Sequence, residues 1–379
     1  MHQLTIPQAK EAILFNALQM NTVTFVWGQF GVGKSDMMRQ IVAERPSDVL
    51  IDFRLSQYQT VDLKGMPDRE KIKGTAKNLT VWDVPGTLPF VDNPKFAMHT
   101  DSIIWLFLDE ANSATQDVQG TAYQLTNDRC VGEHVLLPNV RIVMAGNREG
   151  IDKGVVTKQP LPLSNRVNHF ELVVSVKAWL AYQQMRSLLP ALAYAYYNFR
   201  PASLNNYDPS NPKQLGVKTV ATPRTSERMW DVYVKGTTLS EPVRNAIMAG
   251  WVGEEIMADI ASFGRIYNLI KDYMPEIRRD PATCMLPRQA YVEYAAKAQL
   301  EKMPADAGLG LQCAVTIAIS GELTAKNIDH LYQFLDRLPP EYCIMAMTYA
   351  LENKKRGPEL YETDAYLRYC KKYQQAFMG

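Results

Sequence analysis

Gly28-Gln29-Phe30-Gly31-Val32-Gly33-Lys34-Ser35 is the stretch on which the reading of this chain turns. It spells G-x-x-x-x-G-K-S, the pattern of a phosphate-binding loop, which has meaning only between a strand and a helix. Both flanks comply. Val23-Thr24-Phe25-Val26-Trp27 is a β-branched and aromatic run that predicts a buried strand. Asp36-Met37-Met38-Arg39-Gln40-Ile41-Val42-Ala43 predicts a helix. Glycines let backbone N–H groups curl around phosphate, and the N-terminus of the helix adds partial positive charge. The expected cradle is Gly28, Gly31, Val32, Gly33, Lys34, Ser35 and Asp36. In it Lys34 reaches the β- and γ-phosphates of a nucleotide, and the Ser35 hydroxyl holds Mg²⁺.

The 379 residues are enough for two or three domains with a sizeable core. Hydrophobic residues at 46% and charged residues at 21% argue against disorder. A net charge of +1 gives no support for a broad nucleic-acid-binding face. Cys130, Cys284, Cys313, Cys343 and Cys370 are dispersed and form no C-x-x-C, so neither a zinc site nor a disulfide framework is expected. No apolar signal stretch opens the sequence and no apolar run reaches membrane-spanning length, so the expectation is a soluble, cytoplasmic protein without a membrane partner.

Through residue 175 the chain alternates between strand-like and helix-like segments. A helix is predicted over Pro7 to Leu18. Further strands are predicted at Val49–Arg54, Ile103–Leu108, Arg141–Ala145 and Phe170–Val174, with a helix at Gln116–Leu125. Short apolar runs between helices imply a parallel sheet covered on both faces. Residues 74–90 read as an irregular insertion, and residues 129–138 as a hairpin turning near Gly132-Glu133. Beyond the alternation the pattern turns helical. A first helical stretch, 176–279, is broken by a Pro/Asn-rich loop at 201–212. Asp280-Pro281 and Pro287 mark a boundary before a second stretch, 280–379.

Leu108-Asp109-Glu110 ends the strand expected to neighbour the loop. Asp109 is placed to hold Mg²⁺ and Glu110 to act as general base on the attacking water. Met144-Ala145-Gly146-Asn147 ends another strand, where Asn147 orients water beside the γ-phosphate. The guanine-reading Asn-Lys-x-Asp is missing at Asn147-Arg148-Glu149-Gly150, which favours ATP over GTP. Arg166, in Leu163-Ser164-Asn165-Arg166, suits a role in a neighbouring subunit's site, with Arg148 as its rival. Arg224, in Ala221-Thr222-Pro223-Arg224-Thr225, opens a helix from which it folds back onto the γ-phosphate.

These elements, in this order, resemble an AAA+ ATPase, and more narrowly the MoxR-type branch related to the dynein/midasin-like group. The resemblance rests on GQFGVGKS, on Arg54 through Gly65-Met66-Pro67, on Trp82-Asp83-Val84-Pro85, and on LFLDEANSA. It continues through the hairpin, MAGNRE, PLSNRV, ATPRTSE and Gly250-Trp251-Val252-Gly253-Glu254. It implies an α/β P-loop AAA+ core over 1–175 with two insertions, an all-α lid over 176–279, and a C-terminal helical extension over 280–379. It also implies a Mg²⁺-dependent ATPase in which Lys34, Ser35, Asp109, Glu110, Asn147, Arg166 and Arg224 take the roles above. Members form hexameric rings, and many act with a protein carrying a von Willebrand factor A domain. No Asp-x-Ser-x-Ser occurs in this sequence, so such a partner is expected to be separate. Gln29-Phe30 departs from the family's common Pro-Pro.

The leading functional expectation is an ATP-driven oligomer, ring or helical, that remodels protein clients. The alternative is a DNA- or RNA-dependent ATPase, helicase-loader-like or filament-forming. It draws on Arg129 and on Lys64, Lys71, Lys73 and Lys77 near the first insertion. A binding module without turnover fits least, because every catalytic position holds the residue that the chemistry wants.

Overall fold

The computed structural model describes residues 1–73, 78–99, 101–149, 151–152, 165–186, 189–211, 214, 217–300, 304–353 and 356–373. They fall into two compact units, residues 1–175 with 209–212, and residues 176–208 with 213–379.

The first unit is an α/β layer. Its strands are β1 (Gln3–Leu4), β2 (Thr24–Trp27), β3 (Val49–Arg54), β4 (Pro67–Lys71), β5 (Asn78–Trp82), β6 (Ile104–Asp109), β7 (Cys130–Val131), β8 (His134–Val135), β9 (Val140–Gly146) and β10 (Asn168–Leu172). Six of them form one sheet in the order β1-β10-β2-β9-β6-β3, every pair parallel. The helices are α1 (Ile6–Leu18), α2 (Lys34–Ala43), α3 (Thr60–Lys64) and α4 (Gln116–Asn127). Thr5 starts α1 by a capping box, its backbone N–H donating to Gln8 Oε1 at 3.0 Å. Ala9, Ile13 and Ala17 then recur every fourth residue, which buries one helical stripe.

Side chains alternate between sheet faces with period two. On β6, Trp105 and Phe107 join α1 and α2 in one core, while Leu106 and Leu108 join α4 in the other. On β9, Val143 and Ala145 face the first core and Met144 the second.

β9 runs between β6 and β2, and the end of β6 meets the loop, where Ser35 Oγ donates to Asp109 Oδ2. One expectation changes: the first insertion is more regular than the irregular segment expected over 74–90. β4 and β5 pair as an antiparallel arm in which Pro67 faces Trp82 and Lys71 faces Asn78. The arm escapes the eye in the sequence because β4 carries no apolar side chain beyond Pro67, and nearly all residues of both strands are exposed. At its base Gly65 has φ +86°, and a Cβ there would sit 1.7 Å from the Asp83 carbonyl oxygen. The second insertion is the expected hairpin, with Gly132 at φ +59° in its turn. Its Glu133 carboxylate accepts the Trp82 backbone N–H at 3.0 Å.

The second unit is all helix. It comprises α5 (Val176–Arg186), α6 (Ala191–Phe199), α7 (Pro223–Lys235), α8 (Glu241–Val252), α9 (Glu254–Asn268), α10 (Ile270–Arg279), α11 (Pro287–Lys297), α12 (Ala307–Glu322), α13 (Ile328–Leu335), α14 (Pro340–Leu351), α15 (Gly357–Leu360) and α16 (Asp364–Tyr373). α12 is apolar around most of its circumference, so it is buried, and α6, α9, α11 and α14 pack on it. Gly310 allows α6 to approach closely, since a Cβ there would lie 3.3 Å from the Phe199 ring.

Candidate nucleotide-binding site

The alternation on β6 and β9 settles which residues meet at the loop. Asp109 follows Phe107 and Asn147 follows Ala145 by two positions, so both emerge on the α2 side of the sheet. The loop leaves β2 at Gly28 and turns through Gly31 (φ +74°) and Gly33 (φ +104°) into α2. These φ values favour glycine over residues with a Cβ. Gly28 is confined as well, a Cβ there lying 3.1 Å from the Leu172 carbonyl oxygen. Val32 is buried beneath the loop.

Lys34 Nζ donates to the Gly28 carbonyl, to the Gln29 carbonyl at 3.0 Å and to Asn147 Oδ1 at 3.0 Å. Ser35 Oγ donates to Asp109 Oδ2 at 2.7 Å. The other carboxylate oxygen of Asp109 accepts the Glu110 N–H at 2.9 Å. Glu110 itself has φ +54°, a strained value for a residue with a side chain. Its carboxylate accepts the Ser56 hydroxyl. Asp36 turns its side chain along α2 to Arg39 at 2.8 Å, and Arg39 continues to Asp52 at 3.1 Å. The structure thus brings Lys34, Ser35, Asp109, Glu110 and Asn147 together from separate parts of the first unit.

The arginines divide. Arg148 is held within its own chain, by Asp152 at 2.8 Å and Glu171 at 3.3 Å. Those two carboxylates raise its pKa further, the Asp152 hydrogen bond contributing most. Arg166 is exposed in the segment before β10 and has no ion pair among the described residues. Arg224 is exposed in the first turn of α7, behind the Thr222–Thr225 capping box, and belongs to the second unit. Arg129 is committed elsewhere. Its guanidinium donates to the carbonyls of Leu137 at 2.9 Å and Val140 at 3.1 Å, and burial, then Arg141, lowers its pKa.

Sequence reasoning missed two residues of this site. Asn112, 1% exposed, grips the backbone of Asn147 with both ends of its amide. Its Nδ2 donates to the Asn147 carbonyl at 2.7 Å, and its Oδ1 accepts the Asn147 N–H at 3.1 Å. Gly146 makes room for it, since a Cβ there would lie 2.4 Å from Asn112 Oδ1. An asparagine between buried Ala111 and Ala114 is the signal that was available. Ser56 carried none, being an ordinary hydroxyl just after a strand.

Fold and loop together define an α/β chain of the phosphate-binding-loop class. No protein-family model matches the chain, and no curated protein matches it. Among solved structures it is similar to a candidate ATPase from Cytophaga hutchinsonii, at 11% identity over 89% of this chain and 78% of that one, with a TM-score of 0.31. It is similar also to NtrX from Brucella abortus, at 14% identity over 82% of this chain and 68% of that one, with a TM-score of 0.33. Likenesses this distant carry no weight for function, which rests on the residues above. Among the described residues no helix is long and apolar enough to cross a membrane.

Proposed function

We propose that the chain is an ATP-hydrolysing AAA+ motor of MoxR-like type, cytoplasmic and oligomeric, that remodels protein clients. The observation that carries the proposal is the meeting of the loop with two other strand ends, Ser35 on Asp109 and Lys34 on Asn147. A hydroxyl and a carboxylate are the hard oxygen donors that Mg²⁺ prefers, so the pair fits that ion. When bound, Mg²⁺ neutralises charge on the β- and γ-phosphate oxygens. Lys34 then holds the phosphates, Asn147 orients the attacking water, and Glu110 takes its proton. Ser56 holds the Glu110 carboxylate in place through its hydroxyl.

ATP lies between subunits in this proposal, with Arg166 of one subunit completing the site of the next and Arg224 acting from the lid. Arg166 is exposed and has no ion pair among the described residues, which supports it over Arg148, whose charge its own chain neutralises. The division into a core of 1–175, a lid of 176–279 and an extension of 280–379 belongs to the same proposal, as does a separate partner with a von Willebrand factor A domain. The assembly is a ring or a helix according to whether the subunit rotation closes.

The test is ATPase rate per subunit against protein concentration. A cooperative rise is expected, and a flat nonzero line overturns the shared site. The nucleic-acid alternative is weakened because Arg129 spends its guanidinium on carbonyls. Lys71 and Lys73 are exposed, Lys64 is half-buried, and Lys77 lies outside the described residues. Salt-sensitive DNA binding, or stimulation of the ATPase by DNA, would revive that alternative.

A further inference from the structure

A cavity of about 320 Å³ opens inside the helical unit between α8 and α9, with Leu192 of α6 and Tyr233 of α7 also in its wall. All of its lining residues belong to the helical unit. On α8, Glu241, Arg244, Asn245 and Met248 fall at i, i+3, i+4 and i+7, so one helical face supplies them all. α9 contributes Arg265 and Asn268 over a lining that includes Met257 and Ile260. The combination is a mixed cavity, in which apolar side chains share the wall with two arginines, two asparagines and a glutamate, a lining suited to a small ligand with a polar head.

The guanidinium groups are the informative part. Among the described residues, neither Arg244 nor Arg265 has a carboxylate within ion-pairing distance. The Arg244 stem packs against Gly236 and its charge lies 5.9 Å from the Tyr233 ring centre. Its Nε is buried and has no hydrogen-bond partner among the described residues. Planar guanidinium forks match the oxygens of carboxylate and phosphate, and Glu241 at the start of α8 leaves the pair in excess by one charge.

We propose that this pocket binds a small free oxyanion, a carboxylate or phosphate carried on a short apolar stem. The two arginines and the amides of Asn245 and Asn268 take the head, and Met248, Met257 and Ile260 take the stem. The proposal does not depend on ATP hydrolysis.

The experiment titrates the full chain with inorganic phosphate and, separately, butyrate by calorimetry at constant ionic strength. The background is Lys34→Ala, which weakens phosphate binding at the loop, and any phosphate still held there is insensitive to the two added substitutions. Into it go Arg244→Gln and, independently, Gly264→Leu. A Cβ at Gly264 meets nothing within 4 Å, and the glycine lines the pocket, so leucine fills the cavity while favouring the helix. The expected result is binding in the Lys34→Ala protein that falls at least tenfold in each added variant. The stronger of the two probes then identifies the head group. Binding of neither probe overturns the proposal, as does binding that both variants leave unchanged. A shift of Arg244→Gln to a smaller sedimenting species without anion binding overturns it too, because the acceptor is then a carboxylate of a second copy.

Discussion

Arg148 and Arg166 are the same chemical group in opposite settings, one paired within its chain and the other exposed. Replacing Arg148 by Ala strands Asp152, whose side chain is only 3% exposed, without a counter-charge among the described residues. The loss is expected to be about 3 kcal/mol, the scale for breaking a buried pair, read as a lower urea midpoint. Arg166→Ala removes an exposed side chain, so its midpoint should stay put while turnover falls by roughly 10³ or more. Equal losses of stability in the two variants, with turnover intact, would remove Arg166 as the finger. Glu110→Gln should bind ATP and assemble yet fail to turn over, and hydrolysis at the native rate would exclude Glu110 as the base. Asn112→Asp replaces a donor by an acceptor against the Asn147 carbonyl at 2.7 Å. Steady-state kinetics should then show kcat falling about tenfold or more with a smaller change in KM, since the substituted group positions Asn147 and does not touch nucleotide. Lys34, Ser35, Asp109, Glu110 and Asn147 were all legible, because each ends an apolar strand or completes a spaced pattern. Asn112 showed only as a polar residue between alanines, and Ser56 not at all, since both act on neighbours in space that the sequence does not name.

The arm β4–β5 shows how an element can be visible to the fold and silent in the sequence. Pro67–Lys71 contains no apolar side chain beyond its proline, so no periodicity announces a strand. Cross-strand hydrogen bonding and the turn of Gly65 make it one. Gly65→Ala is therefore expected to disrupt the base of the arm, at a cost of about 2 kcal/mol or more from φ strain and the clash with Asp83. Replacing residues 69–80 by a short glycine turn should leave the thermal midpoint unchanged, because the strand residues it removes are exposed. A large drop in the second variant would mean that the arm supports the core. Strand existence was legible along the main sheet, since β2, β3, β6, β9 and β10 all lie within a few residues of apolar runs. Strand order was not, because nothing local tells β6 that β9 will lie between it and β2.

At the scale of the molecule, ionisable burial is lopsided. All but Tyr58 and Tyr123 of the nineteen tyrosines lie beyond residue 175. Burial pushes Tyr197 and Tyr342 up to about 12, and pushes the thiols of Cys343 and Cys313 up to about 11 and about 12. Below pH 9 these thiols are protonated in both states and stability does not depend on them. Above pH 9 the unfolded thiols release protons that the folded ones retain, so stability falls with rising pH up to the folded values. Each buried thiol contributes roughly 1.4 kcal/mol per pH unit in that window. Alkali should therefore loosen the helical unit first. Limited proteolysis at pH 8 and pH 10.5 is expected to show new cleavage beyond residue 175 at the higher pH, and new cleavage spread evenly over both units would contradict it.

An ammonium group has three donors, and those of Lys34 are already engaged by Gly28, Gln29 and Asn147. A phosphate arriving at the loop therefore exchanges bonds with this lysine more than it adds them, as water does when a solute displaces it. Binding heat per contact should be small, and much of the affinity must come from backbone donors that turn toward the ligand. The carbonyls that Lys34 releases then need new partners, so filling the loop rearranges its rim as well as its floor.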